Sequence, residues 1–275
     1  MTDETRRQLQ KEIFDIFLEV KRVCEELGIQ YFIMGGTALG AVRHGGFIPW
    51  DDDFDIGMTR SNYEKFIRHA EGKLKEGYFL QTFLTEKRSP FYFAKVRKDN
   101  TEFIERYCRK LPIHQGIYID VFPYDAVPDE EEERRVYYKK GRGRLNWYIA
   151  KEVTGISTNP GRMKRLVLES VRSVMHILML PVPKQKLYRW VDEYLKQYNH
   201  KETKMLGYAG LARIQAPRED VEHPDQILFE NVMVSCPKNI RRYLEGNFGA
   251  YWELPPEDKR GGHDVYKMSL QDKKQ

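Results

Sequence analysis

Cysteine is scarce in this chain. The three residues, Cys24, Cys108 and Cys236, are far apart and odd in number. That argues against a disulfide framework and a cysteine-based zinc site, and it favours a reducing compartment. Long apolar runs are also missing: nothing approaches the ~20 residues that a membrane-spanning helix needs. The opening residues, MTDETRRQLQKEIFDIF, form a polar amphipathic helix start rather than a secretory signal, so the expected location is the cytoplasm. Charge of one sign is modest, a net +5. It admits an anionic partner such as a nucleotide, phospholipid headgroups or a polyanionic glycan, without singling one out. No basic stripe interleaved with aromatics is evident, so nucleic acid is not expected as a partner. Internal repeats and low-complexity segments are absent as well.

What is present suits a folded protein. Apolar residues make up 41% of 275, and aromatics 13%, enough for one large domain or two modest ones. Residues 5–27 carry apolar positions at helical spacing and end at Gly28. YFIM at 31–34 reads as a short buried strand, and TALGAVRH as a helix starting at Thr37. DFDIGM at 53–58 alternates charged and apolar residues, as a strand with one wet face does. Ser61 and Glu64 suggest a capping box opening a helix that runs to about Leu74. Strands are expected at 78–84, 91–98, 102–107 and 116–128. Helical patterns follow at 129–151, 162–179 and 184–199, punctuated by Asn159-Pro160-Gly161 and Pro181-Val-Pro183. ILFENVMVSC reads as one strand, followed by a short helix near 238–248. The resulting division is an α/β (α+β) core at 1–128, a helical region at 129–205, and a C-terminal segment at 206–275 packing back on the core.

Four aspartates crowd into five positions, Asp51, Asp52, Asp53 and Asp55. Residues i and i+2 of a strand share a face. Asp53 and Asp55 therefore project together, joined by Asp51 if the strand begins early. Asp52 points the other way and is expected to be replaceable, while Phe54 and Ile56 face the core. Carboxylates converging on a wet face make a hard-oxygen site suited to Mg²⁺ or Mn²⁺, and the cation removes the like-charge penalty. A solvated acidic loop is the bland alternative. Upstream, Gly35 and Gly36 sit in a strand–Gly–Gly–Thr–helix turn, whose N–H groups can hold phosphate oxygens. Phosphate at a turn beside metal at aspartates is the layout of phosphoryl or nucleotidyl transfer.

On these residues, GGTALGAVRHGGFIPWDDDFDIGM resembles the signature of the LicD family, which includes fukutin and fukutin-related protein. Similarity extends to KVRKDNT at 95–101, IDVFPYD at 119–125, and the tail from about Ser235 to His263. The resemblance implies a nucleotidyltransferase-like mixed sheet flanked by helices, with a helical insertion. It also implies a metal-dependent transferase that moves a phospho-alcohol from a CDP-activated donor to a glycan hydroxyl. Phosphocholine on teichoic acid or lipopolysaccharide sugars is typical of bacterial members, and ribitol phosphate of fukutin-type relatives. Carried over position by position, Asp53 and Asp55 are metal ligands with Asp51 as partner. Asp120 is the third acid, a ligand or the base for the acceptor hydroxyl. Gly35, Gly36 and Thr37 form the donor-phosphate turn.

Further candidates each have a rival reading. Arg43 and His44 lie between the turn and the acids and suit donor phosphates, or a surface helix end. Lys95 and Arg97 alternate on one strand face, as a phosphate clamp or a solvated face. Trp50 reads as a staple of its loop into the core. His263 and Arg260 match a family tail pattern that closes over the site, or else belong to a frayed end. MKRLVLESVRSVMHILMLPVP at 163–183 is either a packed helix or an interfacial contact with the inner face of a membrane carrying a lipid-linked acceptor. CDP-choline is the leading donor. CDP-ribitol, CDP-glycerol or true nucleotidyl transfer stand behind it, and a nucleotide-binding regulatory module is the reading without turnover.

Overall fold

A computed structural model describes residues 1–157, 161–210 and 213–270. The Asn159-Pro160 break lies outside the described residues. The first helix, α1 (Asp3–Leu27), is capped by the Thr2 hydroxyl, which accepts from the Thr5 N–H at 3.2 Å, and it closes on Gly28 in the left-handed region. Next come β1 (Phe32–Ile33), α2 (Gly35–His44), β2 (Asp55–Thr59), α3 (Arg60–His69), β3 (Tyr78–Gln81), β4 (Ala94–Lys98), β5 (Glu102–Glu105) and β6 (Tyr118–Val127). A helical stretch follows, with α4 (Glu131–Ala150), α5 (Arg162–Met179) and α6 (Lys184–Leu195). The final part holds β7 (Met205–Ala209), β8 (Arg213–Pro217), α7 (Arg218–Glu222), β9 (Asp225–Phe229), β10 (Val232–Cys236), α8 (Ile240–Phe248) and β11 (Val265–Ser269).

The main sheet runs β1-β2-β6-β4-β3, with β7 on the far half of β6 and β8 beyond it. Only β2 and β6 pair in parallel; the other described pairings are antiparallel. The fold is thus mixed α+β, a mixed sheet flanked by helices. Strand β6 organises it. Its first half lies between β2 and β4, and Asp125–Val127 pair with β7, so β7 and β8 extend the sheet of the first half. Phe54 packs tilted against Phe17 of α1 at 4.4 Å and meets Phe229 of the β9–β10 hairpin edge-on at 5.2 Å. That anchorage turns the residues on either side of Phe54 away from the core. The three cysteines are free and buried, and burial pushes their thiols up to about 12.

Several elements differ from expectation. Helix α2 begins at Gly35 with Met34 as its cap, so the glycine pair lies inside the first turn. Helix α3 starts after Thr59 without a side-chain cap, leaving Ser61 and Glu64 within it rather than as a capping box. Strand β3 stops at Gln81, because the Thr82 and Thr85 hydroxyls bond their own backbone into a turn. ILFENVMVSC is a hairpin rather than one strand: Glu230 and Asn231 adopt positive φ (45° and 68°) in a two-residue turn. Strand β5 leaves the main sheet to pair with β11.

Candidate active site

The aspartate row continues across strands. Parallel pairing sets Asp55 beside Asp120, and antiparallel pairing sets Lys95 on the other side of Asp120. Asp51 and Asp53 precede β2, yet exposure already alternates there. Asp51, Asp53 and Asp55 are half-buried, while Asp52, Phe54 and Ile56 are buried. The shared side of Asp51, Asp53 and Asp55 follows from that alternation. Crowding shows in their titration. Asp51 and Asp55 are held well above the ordinary carboxylate range, first by burial and then by neighbouring carboxylates, Asp53 and Asp52 for Asp51, Asp53 and Asp120 for Asp55. Asp53 is raised by burial against the opposing charge of His263, and Asp120 by burial against Lys95.

Lys95 is almost fully buried and bonds Asp120 Oδ1 at 2.6 Å, its Nζ 3.4 Å from the centre of the Tyr118 ring. Arg97 is equally buried, but its Nε donates to Gln81 Oε1 at 2.7 Å and its Nη1 to the Gly116 carbonyl at 2.7 Å. The two cations therefore differ: Lys95 borders the acids, whereas Arg97 ties β4 to β3 and to the approach to β6.

The glycine pair brings the α2 N-terminus against the acids. Gly35 has φ +56°, and a Cβ there would meet Asp55 Oδ2 at 3.3 Å; a Cβ at Gly36 would meet Asp51 Oδ2 at 3.0 Å. The Gly35 N–H is taken by the Tyr243 hydroxyl at 2.9 Å. The N–H groups of Gly36 and Thr37 are the orphan donors that a helix start presents to an anion. The Thr37 hydroxyl accepts from the Asp55 N–H at 2.8 Å, locking turn to strand. A crowded cluster of acids beside a positive helix end suits a phosphate ester held together with a divalent cation. Among the described residues, no three acidic, imidazole or thiol groups stand ready in a metal-coordinating arrangement. The donor set itself, hard oxygens whose mutual repulsion a cation would relieve, fits Mg²⁺ or Mn²⁺.

Asp52 departs from its expected replaceability. It is 3% exposed and accepts from the His263 N–H at 2.9 and 3.1 Å, with His263 Nδ1 at 2.8 Å. A Cβ at Gly262 would fall 2.1 Å from Asp52 Oδ2, so the tail needs glycine to lie this close. His263 Nε2 stands 3.8 Å from Asp53. Burial lowers the affinity of His263 for a proton, but the Asp52 bond and the Asp53 charge outweigh it and push the imidazole up to about 10. Nothing local to residues 51–55 signals this partner, 211 positions away; only the Gly261-Gly262-His263 run hints at a close approach. The tail is further held by Arg106, which bonds Asp264 at 3.0 Å, and by the β5–β11 ladder. Arg43 donates to the Tyr251 and Glu253 carbonyls at 3.1 and 3.2 Å. His44 meets the Trp50 ring edge-on at 6.2 Å, and the Arg260 guanidinium lies 5.0 Å over Trp50. Burial and Arg43 push His44 below its ordinary value. These residues join the C-terminal segment to the loop before β2.

Comparison with known proteins adds to this geometry. Residues 28–150 match the LicD/FKTN/FKRP, nucleotidyltransferase domain. The chain is 27% identical over 277 aligned residues to the lipopolysaccharide cholinephosphotransferase LicD of Haemophilus influenzae, covering 97% of this chain and 98% of that protein. A 36-residue stretch is 53% identical to the ribitol 5-phosphate transferase FKRP of Homo sapiens, 13% of this chain and 7% of that one. A 50-residue stretch is 44% identical to the uncharacterized protein RP689 of Rickettsia prowazekii, 18% of this chain and 19% of that one.

Proposed function

A LicD-family nucleotidyltransferase domain spans residues 28–150 of this chain, and from that premise we propose that the protein transfers phosphocholine from CDP-choline to a hydroxyl of a cell-surface glycan precursor. The observation that carries the reading is the row Asp55–Asp120–Lys95, set in register across three strands, with the α2 N-terminus against Asp55. Full-length similarity to a lipopolysaccharide cholinephosphotransferase supports the choice of group and acceptor.

Asp51, Asp53, Asp55 and Asp120 would hold Mg²⁺ or Mn²⁺. When bound, the cation neutralises donor charge and polarises the phosphorus. The chain's own groups do the rest. The Gly36 and Thr37 N–H groups receive donor-phosphate oxygens, and the helix end offsets their charge. Arg43, His44, Lys95, Arg97 and His263 are the basic groups proposed to serve the donor, Arg97 by holding β4 in place. The acceptor oxygen attacks the phosphorus that bears choline. The bond from that phosphorus to the bridging oxygen breaks, and CMP leaves with the electron pair. The acceptor proton passes to Asp120, whose carboxyl is raised by burial yet kept ionisable by Lys95. The tail, pinned on Asp52, closes the far side.

The test is to incubate the full chain with Mg²⁺ or Mn²⁺, a panel of CDP-alcohols and glycan acceptors, and to follow CMP. Fastest release with CDP-choline is expected. Pyrophosphate release from a free nucleoside triphosphate, with no CMP from any CDP-alcohol, would replace the reading with nucleotidyl transfer. Ribitol phosphate is the second reading, favoured by the short stretch of high identity to a ribitol 5-phosphate transferase; it predicts that CDP-ribitol outpaces CDP-choline.

A further inference from the structure

Helix α5 is turned inside out. Met163, Leu166, Val167, Val171, Val174 and Ile177 recur at helical spacing along one face, and each is more than half exposed. Its polar groups turn inward instead. Arg172 donates to Asn146 Oδ1 of α4 at 3.4 Å, and His176 Nδ1 lies 2.9 Å from the Ala150 carbonyl. Lys151, just past α4, donates to the Met179 and Leu180 carbonyls at 2.9 and 2.8 Å. A helix folded only into its own protein buries the opposite face. A contiguous exposed apolar stripe of this length marks a binding surface.

The charge around it is lopsided. From Arg134 to Trp190 there are fourteen Lys and Arg against two acids, Glu152 and Glu169, in a chain whose total is only +5. The rest of the molecule is therefore net negative. Lys139, Lys140 and Arg142 of α4, Lys164 of α5, and Lys186 and Arg189 of α6 are exposed. Arg135, Tyr138, Lys139 and Arg142 line a cavity of about 240 Å³, room for a phosphate headgroup. Arg135, Lys139 and Arg142 share one stripe of α4 with Asn146 and Ala150, the residues that α5 contacts, so the cations lie on the side where α5 docks.

We propose that this face of α4, α5 and α6 docks on an anionic lipid bilayer, with α5 lying in the interface plane. Pairing the face with a second copy would set two strongly basic surfaces against each other. An anionic bilayer takes up the apolar stripe and the cations together. Among the described residues no single helix is long and apolar enough to cross a membrane, and the α5–α6 pair, which together has the length and composition, is bent by 110° between its helices. With the cations of α4 and α6 beside its apolar stripe, α5 is read as lying on the bilayer. The surface does not depend on the transfer chemistry, and binding and turnover can be scored apart.

Co-sedimentation of the full chain with vesicles of phosphatidylcholine alone, or mixed with phosphatidylglycerol, tests it. Binding to the mixed vesicles is expected, weakening with salt and largely lost on neutral ones. Val171→Asp with Ile177→Asp should lower the vesicle-bound fraction about tenfold with an unchanged melting temperature. Lys139→Gln, Lys140→Gln and Arg142→Gln together should reduce binding and flatten its salt dependence. No binding to mixed vesicles, or binding unaffected by both sets of substitutions, overturns the proposal. So does a dimer in solution that the Val171 and Ile177 changes dissociate while no vesicle binding occurs, since the face would then belong to a second copy.

Discussion

Asp55 stands between Asp53 and Asp120, and burial with their charge holds its carboxyl well above the ordinary range. Such a group works against folding. Its protonated form is favoured in the fold, so its cost is absent below the pH where an unfolded aspartate ionises and grows as pH rises toward the folded value. In a chelator, Asp55→Asn should therefore be more stable than the parent chain at neutral pH, by roughly 1–2 kcal/mol. The gap should close on acidification toward pH ~4. Calorimetry across pH reads this directly, and a variant that melts lower at neutral pH would mean that the carboxylates do not repel. The same change should reduce CMP release by about a thousandfold or more, as expected for a residue that organises transition-state charge. Lys95→Met leaves Asp120 buried without its cation, at a cost of about 3–5 kcal/mol. Adding Asp120→Asn to that variant should recover much of the loss, which denaturant melts of the single and double variants would check. The acids themselves were legible in sequence, because period-two alternation is a local property. The Lys95–Asp120 pair was not, since it depends on the register between β4 and β6.

At the scale of elements, the α2 N-terminus depends on Gly35 more than its propensity suggests. With φ at +56° and Asp55 Oδ2 3.3 Å from a would-be Cβ, Gly35→Ala should cost about 1–2 kcal/mol in stability. Its larger effect should be on the apparent affinity for the donor, measurable as a raised KM, because the turn and the acids move apart. A KM unchanged from the parent would separate the turn from donor binding. Helix α6 has a different dependence. Lys184, at its first position, donates to the Ser89 carbonyl and faces Glu152 at 3.5 Å, bridging α6, the loop before β4 and the end of α4. Burial above all lowers its ammonium to about 8. The unfolded chain thus holds the proton more tightly, and stability should rise with pH between 8 and the unfolded value. Relative to Lys184→Met, the parent should gain roughly 2 kcal/mol from pH 7 to 9.5, and a flat difference across that range would contradict the shift. The helices at 129–199 were readable from their 3.6-residue pattern, and the core strands from apolar runs. The β9–β10 hairpin was not, because its turn uses Glu230 and Asn231 at positive φ, where sequence reading looks for glycine. Strands β7 and β8 escaped notice, being short and stabilised by pairing with β6 rather than by their own pattern.

Across the whole molecule, the candidate site gathers parts from distant places: α2 and β2 early, β4 and β6 in the middle, Tyr243 and His263 near the other end. Sequence exposed α2 and β2 because their chemistry is written in adjacent residues, whereas Asp120 on β6 was named through the family resemblance and its pairing with Lys95 only by register. The closing contact needed three dimensions, since Asp52 and His263 are 211 positions apart. Asp52→Ala should leave the sheet intact yet free the tail. Hydrogen exchange at residues 262–269 should quicken markedly, CMP release should fall at least about tenfold, and global stability should drop by roughly 2 kcal/mol. Unchanged exchange there would show that the β5–β11 ladder alone fixes the tail. The latch also bears on how the protein is made. A nascent chain can lay down β1 to β6 and most of its aromatic core well before Gly262 leaves the ribosome. Until that glycine slides over Asp52, the acids sit at an open mouth, and a chain clipped between Phe248 and Gly262 would keep the core, with Phe229 and Tyr243 in place, but lose the latch. Closure of the Asp52–His263 contact would thus be a late step, giving the site its far wall only after the rest of the fold stands.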